Sequence, residues 1–203
     1  MLAPFREQLD KMKVILGSSS PRRRELLAPV LNFEVVPSDF DESTIDIKQY
    51  PNPTDYVKIQ AQKKCEELAQ RIADADIIIT ADTMVVYGDQ ILGKPKTHEE
   101  AYDMIKLLNG TKHTVVTGVY ISMPKKNKNS SFSCETIIYF DDLPEDVMKC
   151  YAYSDDPMDK AGGYGYQSYA ISLVKKIDGD FGNSVGMPAN AIAVQLYKML
   201  SEP

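Results

Sequence analysis

The chain has 203 residues, of which 43% are hydrophobic and 26% are charged, and its formal net charge is −6 at pH 7. This is the composition of a globular protein of about one domain, long enough to bury a core. The acidic balance excludes a general nucleic-acid binder and a membrane-surface protein, because both need broad positive fields. Any anion that the protein binds must therefore meet a local cluster of basic side chains.

The cysteines and the first residues indicate the compartment. Cys65, Cys134 and Cys150 are odd in number and widely spaced, which is typical neither of a disulfide framework nor of a zinc site. Charged residues such as Arg6 and Asp10 precede any long apolar run, unlike in a signal peptide, and no stretch reaches the roughly 18 apolar residues of a membrane helix. We therefore expect a cytoplasmic protein with no membrane partner.

The first predicted elements are a strand and a helix that follows it directly. The apolar run VILG, Val14 to Gly17, is typical of a short buried strand. In the next stretch, SPRRRELL, Ser20 takes the N-cap position and Pro21 the first helical position. A second strand is predicted in NFEVVP, and the acidic loop SDFDESTID comes after it.

A long amphipathic helix is predicted next, with Thr54 as its N-cap. Its apolar residues recur at spacings of three and four, which indicates one buried face. They are Val57, Ala61, Cys65, Leu68 and Ile72. The helical period places Lys64 within this apolar stripe and Lys63 on the opposite face. An inward-facing lysine needs an anion; the alternative is that its ammonium extends to the surface.

The central part of the chain is predicted to contain two strands and a well-delimited helix. The segment DIIITADTMVVYGDQILGKP reads as two strands broken near Ala81 and Asp82. Thr97 and Glu100 form a capping box, T-x-x-E, before an apolar helical pattern, and Gly110 lies where that helix should end.

The remaining elements complete a mixed sheet. The alternating segments HTVVTGVYISM and SFSCETIIYF predict paired strands around the polar loop PKKNKNS. A helix near Glu145 to Tyr151, the turn KAGGYGYQSY, a strand AISLVKKI and a last helix from about Pro188 follow. Strands that alternate with helices predict the α/β class, in one domain over residues 1–203.

Three consecutive arginines lie near the start of the first predicted helix, in the stretch SPRRRELL. A positive charge there is unfavourable by about 0.3–1 kcal/mol at an exposed site, because a helix N-terminus already carries partial positive charge. A phosphate docked on the free N–H groups and hydroxyls of Ser18, Ser19 and Ser20 and clamped by Arg22 and Arg23 would reverse that sign. A solvated surface turn or a phosphorylation site is the alternative.

Lys94 is the second cationic candidate. The stretch GDQILGKP matches the phosphate-binding pattern G-x-x-x-x-G-K until Pro95 replaces the Ser or Thr that would hold magnesium. That replacement excludes a true P-loop. Lys94 still lies at a predicted strand end, where α/β folds often place ligand contacts, although an ordinary surface lysine also fits.

Two acidic positions are candidates for a base or a metal site. Asp82 ends an apolar run, and a carboxylate there is costly unless it is paired or bound to a metal. A turn-capping aspartate is the alternative. Asp39, Asp41 or Glu42 in the acidic loop supplies a second carboxylate, and such oxygen ligands suit Mg²⁺ or Mn²⁺ rather than zinc.

The histidines and the glycine-rich turn exclude other chemistries. His98 and His113 have no second histidine at ligand spacing, and no serine lies in a nucleophile-elbow sequence, so zinc- and serine-hydrolase interpretations fail. His113 is predicted to be packed or hydrogen-bonded. The turn GGYGYQ lacks the third glycine of a dinucleotide fingerprint and is predicted to present Gln167 to a ligand.

Taken together, the ordered motifs resemble the Maf family of nucleoside triphosphate pyrophosphatases, which is related in fold to inosine triphosphate pyrophosphatases. The resemblance spans nearly the whole chain. It rests on LGSSSPRRRELL, FDE, ITADTMVV, ILGKP, EEAYDMIKLLNGTKHTVVTGV, DKAGGYGYQ and IDGDFGNSVGMP. It implies a two-lobed fold in which helices flank an elongated mixed sheet around a central cleft, and a homodimer.

The resemblance also implies the reaction and the residues that carry it. A nucleoside triphosphate is hydrolysed between its α- and β-phosphates, with Mg²⁺, Mn²⁺ or Co²⁺ as cofactor. Asp82 corresponds to the family's proposed proton acceptor, and Glu42 to a carboxylate of the metal site that Asp82 completes. The phosphate-binding positions correspond to Ser18, Arg22, Arg23, Lys64 and Lys94, of which Lys94 is also expected to assist catalysis.

The family's specificity positions correspond to Arg22, Thr83 and Gln167. Glutamine in the context GYGYQ implies the branch that acts on dTTP and UTP. Ser168 stands where members of the family usually have glycine. Two rival functions are an ATPase that releases inorganic phosphate, against which Pro95 argues, and a non-catalytic nucleotide-binding regulator of septum formation, to which the family is historically linked.

Overall fold

The computed structural model describes residues 1–202, so that Pro203, the last residue of the predicted domain, lies outside the described residues. The helices are α1 (Arg6–Leu9), α2 (Pro21–Leu27), α3 (Pro53–Arg71), α4 (His98–Leu108), α5 (Glu145–Ala152), α6 (Phe181–Ser184) and α7 (Ala189–Ser201). The strands are β1 (Val14–Gly17), β2 (Glu34–Val35), β3 (Ile77–Tyr87), β4 (Gln90–Leu92), β5 (Lys112–Met123), β6 (Lys128–Phe140) and β7 (Val174–Asp178).

The seven strands form one mixed sheet, which confirms the predicted α/β class. The strand order is β2-β1-β3-β5-β6-β7, and β4 pairs with β3. β1 is parallel to β2 and to β3, with Ile15 opposite Ile78. β4 is antiparallel to β3, and β7 is antiparallel to β6. The predicted pairing of the two long segments that follow α4 is confirmed, since β5 and β6 are neighbours.

The chain divides into two compact units. The first comprises Met1–Asp82, Thr117–Cys134 and the C-terminal segment from Gly186, and the second comprises Thr83–Val116 and Glu135–Val185. No helix in the described part of the chain is both long and apolar enough to cross a membrane.

In the first unit, β1 and β3 are buried on both faces. Successive residues of a strand point to opposite sides, and the two sides pack on different helices. One side packs with residues of α2 and α7 and consists of Val14, Leu16, Ile77 and Ile79. Ile15 and Ile78, on the other side, pack with Cys65 and Leu68 of α3. Burial on both faces explains why VIL and III are continuous apolar runs rather than alternating ones.

Gly118 of β5 allows α3 to lie close to the sheet. A Cβ atom at this position would lie 2.4 Å from the backbone carbonyl carbon of Val57 and 2.5 Å from the backbone nitrogen of Lys58, both in α3. No side chain fits at such a distance from backbone atoms. The close approach fixes the depth of α3, and with it the depth of the polar side chains on its buried face.

The core of the second unit is formed by α4, α5 and the strands of that unit. His113 lies within it, 3% exposed, and its Nε2 is 2.6 Å from the hydroxyl of Tyr164. Burial lowers the pKa of His113 to about 4. The prediction that His113 is packed and hydrogen-bonded is therefore confirmed.

Helix boundaries follow the predicted caps with one exception. Ser20 Oγ accepts from the Arg23 N–H at 3.5 Å, and Thr97 Oγ1 accepts from the Glu100 N–H at 3.2 Å, as predicted. The predicted N-cap of α3, Thr54, is wrong. Pro53 takes the first helical position, and Asn52 becomes the cap, with its Oδ1 accepting from the Thr54 N–H at 3.0 Å.

Several predicted strands have different limits in the structure. β2 keeps only Glu34–Val35 of NFEVVP, and β6 begins at Lys128, within the predicted loop. β3 runs unbroken through Ala81 and Asp82, so the predicted break is wrong. The predicted strand AISLVKKI is shortened, because Tyr169–Leu173 forms a 3₁₀ turn before β7 begins at Val174. Ala170 and Leu173 are both buried, and their spacing of three is the period of that turn.

Candidate active site

A buried lysine and two carboxylates form the centre of the candidate site in the first unit. Lys64 Nζ lies 2.8 Å from Asp82 Oδ1 and 2.8 Å from Glu42 Oε1. The Lys64 and Asp82 side chains are 10% and 13% exposed, whereas that of Glu42 is 59% exposed. The inward direction of Lys64 is confirmed, and its anions are carboxylates of the protein.

The position of Asp82 follows from the contact between β3 and α3. Thr80 Oγ1 donates to the carbonyl oxygen of Ala61 at 2.6 Å, which attaches the strand to the helix three residues before Lys64. Since β3 continues through Asp82, its carboxylate stays next to the helix and meets the ammonium group of Lys64. Ion pairing with Lys64 partly offsets the desolvation penalty that an isolated carboxylate would incur at this depth.

The start of α2 is attached to the same strand by Arg23. The guanidinium donates from Nη1 to the carbonyl oxygen of Ala81 at 2.7 Å and from Nε to that of Gly186 at 2.9 Å. Burial lowers the pKa of Arg23, whereas the charges of Asp82 and Glu42 raise it. An arginine stays protonated in spite of such burial, so Arg23 is a fixed positive charge beside the two carboxylates.

Backbone N–H groups of the serines before α2 already make hydrogen bonds within the protein. The Ser18 N–H donates to the carbonyl oxygen of Leu16 at 3.0 Å, and the Ser20 N–H donates to Ser18 Oγ at 3.2 Å. The prediction of free N–H groups at these two serines is therefore wrong, because the turn satisfies its own donors. The hydroxyl groups keep their protons and remain able to donate. Arg22 is half-buried in the first turn of α2.

The remaining candidates, Thr83, Lys94 and Gln167, belong to the second unit. Thr83 is half-buried in β3, and Lys94 is exposed two residues after the end of β4. The Gly162 N–H donates to the carbonyl oxygen of Gly93 at 2.9 Å, which joins the glycine-rich turn to the segment that carries Lys94. Gln167 is exposed in that turn.

A hydrogen-bonded network supports the turn that carries Gln167. Ser168 Oγ donates to Asp156 Oδ2 at 2.6 Å, and the Tyr151 hydroxyl donates to the same oxygen at 2.7 Å. Lys160 Nζ contacts Asp156 Oδ1 at 3.2 Å and Asp159 Oδ1 at 2.6 Å. Burial raises the pKa of Asp156, but the hydrogen bonds of Ser168 and Tyr151 and the charge of Lys160 outweigh it and hold that pKa below its ordinary value.

Sequence reasoning missed two contributors to these arrangements. Lys160 lies under the turn, and a Cβ on Gly165 would come within 2.5 Å of its side-chain carbons, which explains the glycine there. Gln60 is buried one turn before Lys64 and bonds to the backbone of Glu42. Its signal in the sequence is its spacing, because positions 57, 60, 61 and 64 lie on one face of a helix.

The carboxylates fit a divalent cation of the Mg²⁺ type. In the part of the chain that the structure describes, no three His, Cys, Asp or Glu side chains form a metal-binding group. Mg²⁺ does not need such a group, since it is often held by one or two carboxylates together with substrate phosphates and water. Asp82 and Glu42 already converge on one cation, the ammonium group of Lys64.

Comparison with known proteins assigns the chain to a protein family. Residues 13–200 match the model of a family described as Maf-like protein. The chain belongs to the Maf family. This Maf chain is 44% identical to a dTTP/UTP pyrophosphatase of Geobacillus sp. (strain WCH70), across 92% of the chain and 98% of that protein. It is 39% identical to a dTTP/UTP pyrophosphatase of Clostridium novyi (strain NT), across 94% and 97%.

Two further similarities differ in extent or in strength. A human protein named probable bifunctional dTTP/UTP pyrophosphatase/methyltransferase protein is 39% identical and covers 100% of the Maf chain, which spans 34% of that longer protein. The structure of the Staphylococcus aureus Ham1 protein aligns with 93% of the Maf chain and 97% of its own, with 11% identity and a TM-score of 0.48.

Proposed function

We propose that this Maf-family chain is a nucleoside triphosphate pyrophosphatase that converts dTTP and UTP to the monophosphate and pyrophosphate. The observation that carries the proposal is the ammonium group of Lys64, held at 2.8 Å by both Asp82 and Glu42. Full-length relatives named dTTP/UTP pyrophosphatase support the activity and the choice of nucleotides.

The arrangement suits a polyanionic substrate because two positive charges, those of Lys64 and Arg23, lie beside the carboxylates of Asp82 and Glu42. We infer that Lys64 exchanges its carboxylate partners for phosphate oxygens when a triphosphate binds. Arg23 keeps its backbone contacts and contributes its charge from a fixed position. Ser18, Arg22 and Lys94 complete the proposed phosphate contacts. Preorganised positive charge of this kind stabilises the charge that develops on a departing pyrophosphate.

Asp82 and Glu42 are the proposed ligands of a divalent cation, Mg²⁺, Mn²⁺ or Co²⁺. When bound, such a cation supplies charge neutralisation on the phosphate oxygens and lowers the pKa of water. The release of Lys64 to the substrate leaves both carboxylates available for it.

The proposed reaction is an attack of water on the α-phosphorus. A new P–O bond forms to the water oxygen, the bond from the α-phosphorus to the bridging oxygen breaks, and pyrophosphate leaves. The carboxylate of Asp82 accepts the proton of the attacking water, with its low exposure limiting competition from bulk solvent. Lys94 is proposed to act in catalysis by stabilising the charge on the leaving pyrophosphate.

The proposed specificity for pyrimidine nucleotides rests on Gln167, with Arg22 and Thr83. A side-chain amide offers both a donor and an acceptor, which matches the polar edge of uracil or thymine. The network around Asp156 holds the turn that presents Gln167. A base with the opposite pattern would leave polar groups unpaired, and this lowers its rate of turnover. We further propose that the protein acts in the cytoplasm as a homodimer.

The decisive experiment is product analysis with a panel of nucleoside triphosphates and Mg²⁺, Mn²⁺ or Co²⁺. The proposal expects pyrophosphate and monophosphate from dTTP and UTP, loss of both products in Asp82→Asn, and selective loss of pyrimidine turnover in Gln167→Glu. Asp74→Asn is the matched control, since Asp74 also pairs with a lysine, Lys13 at 2.9 Å, but on the surface. Release of inorganic phosphate, or binding without turnover, would overturn the proposal in favour of an ATPase or a regulator.

A further inference from the structure

Gln60 of α3 is a buried amide whose contacts lead to the candidate site. The residue is 1% exposed and lies four positions before Lys64, on the same face of the helix. Its Nε2 donates to the carbonyl oxygen of Glu42 at 3.0 Å and to the hydroxyl of Tyr56 at 2.8 Å. Its Oε1 is buried and has no hydrogen-bond partner among residues 1–202.

Glu42 is thereby held at two of its atoms by one face of α3. Gln60 binds its backbone carbonyl, and Lys64 binds its carboxylate at 2.8 Å. The ammonium group of Lys64 can exchange the Glu42 carboxylate for another anion, such as a phosphate. The amide of Gln60 binds the backbone carbonyl of Glu42, which takes no part in that exchange. The bond from Gln60 is thus independent of what the ammonium group binds.

Stability of the fold does not account for an amide at position 60. A buried amide oxygen with no partner is unfavourable, and an apolar side chain of similar size would avoid that cost. The carbonyl oxygen of Glu42 would not be left without a donor, since it also accepts from the Ile45 N–H at 3.4 Å. We therefore infer that the Gln60 amide serves to fix the position of Glu42.

We propose that Gln60 is a positioning residue for Glu42. It holds the backbone of Glu42 against α3, so that the carboxylate stays opposite Asp82 after Lys64 has turned to the phosphates of the substrate. The inference rests on the proposed function for its effect on turnover, while its structural part concerns the ligand-free protein alone.

The structural part is tested by hydrogen exchange of the ligand-free protein. We expect amides in the segment from Asp41 to Asp46 to exchange about fivefold faster in Gln60→Met, the factor that corresponds to one lost hydrogen bond. Gln62→Met is the matched control, because Gln62 lies on the same helix but bonds to Glu66 at 2.7 Å and not to Glu42. Unchanged exchange in Gln60→Met would overturn the proposal.

The functional part is tested by steady-state kinetics and thermal unfolding of the same variants. We expect kcat for dTTP to fall about tenfold in Gln60→Met, which is typical for loss of a group that orients a metal ligand. KM should stay close to that of the unmodified protein, and the melting temperature should be equal or higher. Tyr56→Phe, which removes the other partner of Gln60 but leaves its bond to Glu42, should retain kcat.

The outcomes separate this proposal from the proposed function. If the unmodified protein releases no pyrophosphate, the proposed function fails, and the exchange experiment still decides whether Gln60 holds Glu42. If turnover is present and kcat of Gln60→Met falls only in proportion to a decrease in its melting temperature, the role of Gln60 is structural and the proposal is overturned. Gln60→Leu provides the same test should Gln60→Met fail to fold.

Discussion

Asp82→Asn isolates the charge of the buried carboxylate while preserving its shape. The attraction between Lys64 Nζ and Asp82 Oδ1 at 2.8 Å is about 6 kcal/mol at an effective dielectric constant of 20. Desolvation offsets much of it, and removal of one partner from a buried pair costs about 3–5 kcal/mol. Because Glu42 remains on the ammonium group, we expect the lower end, about 3 kcal/mol, as the loss in free energy of unfolding.

Glu42→Gln removes the other carboxylate of the same lysine and serves as the internal comparison. Its side chain is 59% exposed, so solvent already screens the pair, and the expected loss is about 0.2–1 kcal/mol. Both variants should lose pyrophosphate release under the proposed function. The two stabilities therefore separate by about 2 kcal/mol or more, although the two distances are equal.

Urea unfolding at pH 7, with Lys64→Met to complete two double-mutant cycles, measures both pairs. The coupling energy of Lys64 with Asp82 should exceed that of Lys64 with Glu42. Equal coupling energies, or a loss below about 1 kcal/mol in Asp82→Asn, would refute the reasoning that burial decides the strength of these contacts.

Three further predictions concern other parts of the chain. Burial lowers the pKa of His113 from 6.5 to about 4, so the unfolded state takes up a proton more readily, and the free energy of unfolding falls as the pH drops below 6.5. Between pH 7 and 4.5 we expect this free energy to fall by about 2.5 kcal/mol. Urea unfolding measures the loss, which His113→Gln should not show. Gly118→Ala should lower the free energy of unfolding by about 1–3 kcal/mol, because a Cβ would meet the backbone of α3, and unchanged urea midpoints would contradict the close approach. Ser168→Ala removes the bond to Asp156 and should raise KM for dTTP and UTP more than it lowers kcat; equal KM values in both proteins would exclude a role for Ser168 in holding the Gln167 turn.

Much of the secondary structure was determined by local sequence patterns. The continuous apolar run before Ser18 predicts a strand buried on both faces, and the capping box at Thr97 predicts the start of α4 to the residue, since both depend on neighbours along the chain. Where a local rule had competitors, tertiary contacts decided. Asp82 favours a break in a strand taken alone, yet β3 continues through it, and its carboxylate pairs with Lys64 of the neighbouring helix.

The same division holds for the candidate site. Helical periodicity determined that Lys64 points inward, because the direction of a side chain on a helix follows from spacing alone. Its partners could not be derived in this way: Asp82 lies 18 residues further along the chain, and a distance of 2.8 Å arises only when β3 packs against α3. Gln60 shows the difference most clearly, since its sequence position marks it as buried, but only the packing of the loop that carries Glu42 supplies the carbonyl it binds.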